Sequence, residues 1–179
     1  MINVRNIIRI AFVLFASILF HSCSSQNYAP LQVVKNVDVN RYIGKWYEIA
    51  HLPFKQQEGC SCTTAEYEII DSLTLRVKNK CLNDGEIDET NGKAFVVQGS
   101  NNAKLRVQFF WPFRGDYWII FLDEINYNWA VVGTPSRKYL WILSRQPKMN
   151  ENILKELTVK IDKAGFDTNK LIFTEQNCN

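Results

Sequence analysis

The 179-residue chain reads as an all-β protein. The expected architecture is an eight-stranded antiparallel up-and-down β-barrel with one C-terminal α-helix packed outside. Three observations predict it. Short runs of alternating apolar residues recur between turn signals, as in a sandwich or barrel. Eight such runs can be counted, the number whose closed barrel leaves room for one small ligand. The links between them are short, which suits up-and-down order.

The N-terminal residues are expected to lie outside this fold. Arg5 and Arg9 precede an apolar run of 11 residues, Ile10 to Phe20, that ends at His21-Ser22-Cys23. A basic start, a short apolar stretch and a small residue before the break describe a secretory signal. The run is short of the roughly 20 residues that span a bilayer. The sequence before Cys23 resembles a lipobox, with Ser22 as the small residue, although Phe20 and His21 depart from the usual pattern. Residues 1–22 are therefore read as a lipoprotein signal peptide, and 23–34 as an acylated Cys23 and a polar tether that includes Ser24-Ser25-Gln26-Asn27. Residues 35–179 are read as the folded domain. No acidic residue follows Cys23 directly, and resemblance to known sorting rules then implies an outer-membrane lipid anchor, with the domain facing the periplasm.

Removing residues 1–22 takes away two arginines and lowers the net charge from +3 to +1. A near-neutral surface gives no reason to expect a nucleic-acid partner. Besides Cys23, four cysteines remain: Cys60, Cys62, Cys81 and Cys178. An even number in an exported chain suggests two disulfides, with three possible connectivities. Cys60-Ser61-Cys62 lacks the spacing of a dithiol redox motif. His51 and the thiols offer too few ligands for a metal site, and no metal or other cofactor is expected.

The strands follow in order. Trp46 to Pro53 is the first. Thr63 to Ile70 and Thr74 to Cys81 flank Asp71-Ser72-Leu73 as a hairpin, whose three-residue turn pairs Tyr67 with Val77 and Ile69 with Leu75. Asn91-Gly92 opens Lys93 to Gln98, and Asn101-Asn102 separates that run from Lys104 to Trp111. Arg114-Gly115-Asp116 precedes Tyr117 to Asp123. Asn128 to Gly133 and Lys138 to Ser144 complete the eight. A helix then starts at the N-cap Asn150, with Glu151 in its first turn and Gly165 to end it. Ile153, Leu154, Leu157, Ile161 and Ala164 recur at helical spacing and should pack on the barrel wall. Leu171 to Thr174 reads as a ninth, edge strand.

Two distant segments carry a family resemblance: Gly44-Lys45-Trp46-Tyr47-Glu48-Ile49-Ala50, and Trp141-Ile142-Leu143-Ser144-Arg145 about a hundred residues later. With Phe109-Phe110-Trp111-Pro112-Phe113, Tyr117-Trp118-Ile119-Ile120 and Tyr127-Asn128-Trp129-Ala130-Val131, they resemble the bacterial lipocalins, near apolipoprotein D and the insect bilin carriers. The resemblance covers nearly all of residues 35–175. It implies that Trp46 closes the narrow end of the barrel and that Arg145 lies across it, a structural cation–π pair. It also implies a disulfide between Cys62 and Cys178, because Cys62-Thr63-Thr64-Ala65-Glu66-Tyr67 looks like the second strand of apolipoprotein D. That pairing leaves Cys60 with Cys81.

With Trp46 facing in, alternation sets Glu48 and Ala50 inward. Carried through the other strands, it gives a ligand-binding lining of Glu48, Ala50, Tyr67, Val77, Val107, Phe109, Tyr117, Ile119, Tyr139 and Trp141. Leu105, Phe121 and Leu143 fall in the same sets. The alternative is that these side chains simply fill a small core. An apolar lining with a few polar tips suits an acyl chain. Glu48 and His51 are three apart on one strand, so alternation sends them to opposite faces. No catalytic residues are expected, since neither a Ser-His-acid spacing nor a phosphate loop occurs. The expected function is thus a membrane-anchored carrier of fatty acids or lysophospholipids, for envelope lipid storage, transport or repair. A carrier of bilin, haem or retinoid is the alternative, and a lipocalin-fold enzyme a further one. The sequence leaves a homodimer open.

Overall fold

A computed structural model describes residues 28–177. The signal segment, Cys23 and Cys178 lie outside these residues. In chain order the elements are a short helix α1 (Val39–Tyr42), strands β1 (Gly44–His51), β2 (Ser61–Asp71), β3 (Thr74–Asn83), β4 (Glu86–Val96), β5 (Lys104–Gln108), β6 (Gly115–Leu122), β7 (Trp129–Gly133) and β8 (Leu140–Ser144), helix α2 (Glu151–Lys163) and strand β9 (Ile172–Phe173). Sheet order runs β2 to β8 in sequence, then β1, and β1 pairs back onto β2 to close the barrel. Every one of these pairings is antiparallel. The expected barrel, helix and edge strand are all present.

Register on the β2–β3 hairpin is as read from the sequence: Tyr67 lies opposite Val77 and Ile69 opposite Leu75. The expected start of β4 at Lys93 is corrected, since the strand begins at Glu86. Asp84 and Gly85 both have positive φ, 49° and 83°, the geometry of a two-residue hairpin turn that matches strand twist. Asn91-Gly92 is therefore no turn. Gly92 sits within β4 because a Cβ there would come within 2.7 Å of the Gln108 carbonyl oxygen and of the Phe109 ring.

Helix α2 begins as expected, with Asn150 Oδ1 accepting from the amides of Asn152 and Ile153. Its buried Leu157 and Ile161 pack with Ile49, Ala50, Ile120, Val131, Leu140 and Ile142 on the outer face of the barrel. Leu31, in the stretch read as tether, is buried in the same cluster. Burial under α2 explains why β1, β6, β7 and β8 are apolar on both faces.

Two β-bulges follow from that double burial. In β1 the register against β8 shifts between Glu48 and Ala50. Ile49 and Ala50 consequently both join the outer cluster under α2. In β6 the register shifts between Ile119 and Phe121, and Ile120 and Phe121 both pack outside. A bulge inserts one residue and inverts the alternation beyond it. The expectation that Ala50 and Phe121 line the interior is thereby corrected. The same bulge brings His51 to the inner face, opposite the inward Trp141.

The loop from β1 to β2 is pinned by a disulfide between Cys60 and Cys81, the pairing left once Cys62 is assigned to Cys178. Closing a loop of this length contributes about 3 kcal/mol in the chain-entropy account. Cys62 is also disulfide-bonded, and its amide donates to the Glu175 carbonyl at 2.7 Å. Its expected partner Cys178 lies outside the described residues.

Candidate functional site

The barrel has a sealed floor. Trp46 is fully buried, and its Nε1 donates to the Tyr42 carbonyl of α1 at 2.8 Å. The Arg145 guanidinium lies 3.7 Å from the Trp46 ring centroid. It donates to the carbonyls of Lys45 at 2.8 Å, Arg41 at 2.7 Å, Tyr42 at 3.1 Å and Ile43 at 2.9 Å, and through Nε to Tyr127 at 3.3 Å. The guanidinium fork therefore stitches α1, the start of β1 and the β6–β7 loop together across the closed end. Gly44 turns the chain into β1 with φ 87°, a conformation that favours glycine.

Above the floor, accessibility divides the interior. Leu105, Ile119, Ala130 and Val132 in the lower barrel are buried. Val107 and Phe109, farther toward the open end than Leu105, pack against the same inner cluster and keep partial access to solvent, as do Tyr117, opposite Leu105, Trp141, opposite Val132, and Tyr139. Tyr67 and Val77 form part of the buried inner cluster. Of the ten lining residues expected from alternation, Ala50 is the one displaced to the outer face.

Three phenols meet inside. The Tyr67 hydroxyl donates to Tyr117 Oη at 2.8 Å, and Tyr42 shares a second 2.8 Å bond with Tyr117. Burial raises all three above the usual tyrosine range. A folded-state pKa above the unfolded one supports stability below the unfolded pKa and loses it as pH rises further. Stability should therefore hold up to about pH 10 and fall steeply above it, the ordinary tyrosine pKa being about 10. Denaturant titrations across that range test this, and Tyr67→Phe should make the decline shallower.

At the mouth the β1 bulge places Glu48 and His51 on one face, correcting the expectation of opposite faces. Glu48 Oε1 lies 3.9 Å from His51 Nε2. His51 Nδ1 stands 2.8 Å from the Leu52 carbonyl, so it carries the proton in that bond. Glu48 is already occupied: Gln57 Nε2 donates to Oε2 at 2.8 Å, and Thr174 Oγ1 donates to Oε1 at 2.6 Å. Trp141 Nε1 donates to Gln57 Oε1 at 2.9 Å. Phe54, from the same loop, meets the Tyr139 and Trp141 rings edge-on at 5.3 and 5.8 Å. The β1–β2 loop thus bends over the mouth. Sequence reading missed Gln57 and Thr174, which reach the interior from a loop and from the C-terminal segment.

The rim beside this loop is apolar. Phe110, Trp111 and Phe113, between β5 and β6, are 74, 86 and 77% exposed. Outside the barrel, an open groove of about 730 Å³ runs past Arg137, Lys138, Asp162, Asp167 and Lys170. Its mixed charge suits an acyl chain poorly.

A closed eight-stranded cup, capped by an Arg–Trp floor and flanked by one helix, defines a class of calyx-forming binding proteins. Residues 37–176 match the lipocalin-like domain, and the chain belongs to the lipocalin family. It is 38% identical over 170 residues to the outer membrane lipoprotein Blc of Vibrio cholerae, covering 94% of this chain and 99% of that one. It is 32% identical over 159 residues to apolipoprotein D of Bos taurus, covering 84 and 82%. Among solved structures, insecticyanin from Manduca sexta superposes with a TM-score of 0.66 at 23% identity, covering 83% of this chain and 85% of that one. That last likeness concerns the fold alone.

Proposed function

We propose that this lipocalin is a carrier of single-chain lipids, fatty acids or lysophospholipids, held in the upper half of the barrel. The observation that carries the reading is the accessibility gradient along β5 and just beyond it, from buried Leu105 to partly open Val107 and Phe109. Apolar groups left open to solvent inside a cup favour an apolar occupant. About ten buried methylenes at about 0.8 kcal/mol each match the roughly 8 kcal/mol of a micromolar Kd. The exposed rim of Phe110, Trp111 and Phe113 offers a path for a lipid to enter. Envelope lipid storage, transport or repair is the role that fits.

An acylated Cys23 would hold the carrier on the outer membrane, in line with the bacterial relatives named as outer membrane lipoproteins. Among the described residues no helix is long and apolar enough to cross a membrane.

The buried Glu48–His51 contact favours an enzyme as the second reading. A general base must face the substrate, whereas the hydrogen bonds from Gln57 and Thr174 hold the Glu48 carboxylate toward the β1–β2 loop and the C-terminal segment.

The test is titration of the chain from residue 24 onward with palmitate, read by tryptophan quenching. Micromolar affinity, with the lipid recovered unchanged by mass spectrometry, is expected. Absence of quenching at millimolar lipid would overturn the carrier reading, and a chemically altered lipid would replace it with the enzyme.

A further inference from the structure

Large aromatic side chains gather on one loop of the open end. Phe110, Trp111 and Phe113 fall within four residues of the β5–β6 connection, and all three are largely exposed. Single exposed apolar residues are ordinary, but a contiguous group of this size marks an interaction surface. The floor carries no such group: among the described residues there, Ile125 alone is more than half exposed among the large apolar side chains.

The start of the described chain lies at the same end. β7 ends at Gly133 and β8 starts at Leu140, so their loop, like that between β5 and β6, points away from the Arg145 floor. Arg137 in this loop donates through Nη2 to the Ala29 carbonyl at 2.6 Å, and its guanidinium lies 5.2 Å from the Tyr28 ring centroid. Cys23 precedes Tyr28 by five residues, which reach at most about 18 Å when fully extended. The 11 residues of β2 rise about 28 Å along the barrel axis at the usual strand rise and tilt. The tether is thus shorter than the wall is tall. An anchor at Cys23 brings the membrane to the open end or to the flank beside it, and leaves the floor out of reach.

The aromatic loop decides between mouth and flank. In the sheet order it stands two strand spacings from the β7–β8 loop, about 10 Å along the rim. Aromatic side chains settle at the headgroup level of a bilayer. Exposed Arg114 and Lys138 lie beside the aromatics and suit anionic headgroups. Acidic Asp84, Glu86 and Asp88 belong to the β3–β4 hairpin, on the other side of the aromatic loop. We infer that the barrel stands mouth-down on the membrane that holds its anchor, with the Phe110–Phe113 loop seated in the lipid interface. The partner is a bilayer surface, because the tether keeps one within reach of this loop whatever else is present. The tether argument rests on the acylated Cys23 proposed above. The seating of the loop does not, and it can be tested without the anchor.

The test mixes the chain from residue 24 onward with vesicles of phosphatidylethanolamine and phosphatidylglycerol that contain brominated phosphatidylcholine and no single-chain lipid. Of the five tryptophans, Trp111 alone is exposed. Bromine should quench the fluorescence of the unmodified chain, and most of that quenching should be lost in Trp111→Phe. Ile125→Trp, made in the Trp111→Phe chain, places a tryptophan at the floor and should not restore it. Phe110→Ser, Trp111→Ser and Phe113→Ser together should weaken vesicle binding at least about tenfold. The unfolding midpoint should stay unchanged, since these side chains are exposed. Absence of quenching at millimolar lipid would overturn the docking. Equal quenching at Trp111 and at the floor tryptophan would mean adsorption without orientation, and would overturn it too. A dimer that the triple variant converts to monomer, with no vesicle binding, would assign the rim to a second copy instead. Palmitate binding without bromine quenching removes the docking and leaves the carrier; quenching without palmitate binding does the reverse.

Discussion

Trp46→Ala is expected to destabilise the protein by about 5 kcal/mol, from a core Trp truncation together with the lost cation–π pair. The site cannot collapse to absorb the change. Trp46 is fully buried, Tyr42 packs against it at 5.1 Å between ring centroids, and Arg145 covers it from below. With the indole gone, the guanidinium faces a void while still bound to the carbonyls of α1 and β1. Single domains are stable by roughly 5–15 kcal/mol, so this one substitution would consume much of the margin. Urea unfolding with circular dichroism measures it. Trp46→Phe is the informative companion: it retains a ring under Arg145 and forfeits mainly the Nε1 bond to Tyr42, at a cost of about 1–2 kcal/mol. If both variants unfolded at the same urea concentration, the indole hydrogen bond rather than the packed ring would hold the floor.

The floor was legible in the sequence because it depends on rare residue types with one workable arrangement, a Trp beside a Gly and a distant Arg. The β2–β3 register was legible because polar and apolar residues alternate from Ala65 to Ile69 and the turn is short. Elsewhere the signal failed for identifiable reasons. Residues 86–91 are almost all polar, so no alternation announces the first half of β4, and pairing with β3 alone draws it into the sheet. Around Ile49 and Ile120 the strands are apolar on both faces because α2 covers the outside. Alternation carries no information on such a stretch, and the bulges that turn both residues of each pair outward leave no Gly or Pro as a mark. One missed bulge misplaced Ala50 and concealed that Glu48 and His51 share a face. Gln57 and Thr174 reach the site from outside the eight strands, where strand parity says nothing.

Glu48→Ala should loosen the mouth more than any other single change there, and lower stability by about 3 kcal/mol, since hydrogen bonds to a charged group contribute about 1.5–3 kcal/mol each. The carboxylate is 3% exposed and ties three segments. Gln57 brings the β1–β2 loop and Thr174 brings the C-terminal segment, while Trp141 joins through Gln57. Truncation leaves two half-buried donors without their acceptor. The loop that holds Phe54 over Tyr139 and Trp141 would then be anchored mainly by the Cys60–Cys81 bond at its far end. On the proposed carrier function, lipid should enter and leave faster, with both rates raised and the equilibrium affinity changed much less, because the mutation opens a path without altering Val107, Phe109 or the rest of the apolar wall. Hydrogen exchange locates the effect: amides at 54–60 and 172–176 should lose protection, whereas those of the β3–β4 ladder should not. Unchanged protection at 54–60 would show that the disulfide alone positions the loop. In that case the Glu48 carboxylate would have to be explained by what it does beside His51 rather than by what it holds.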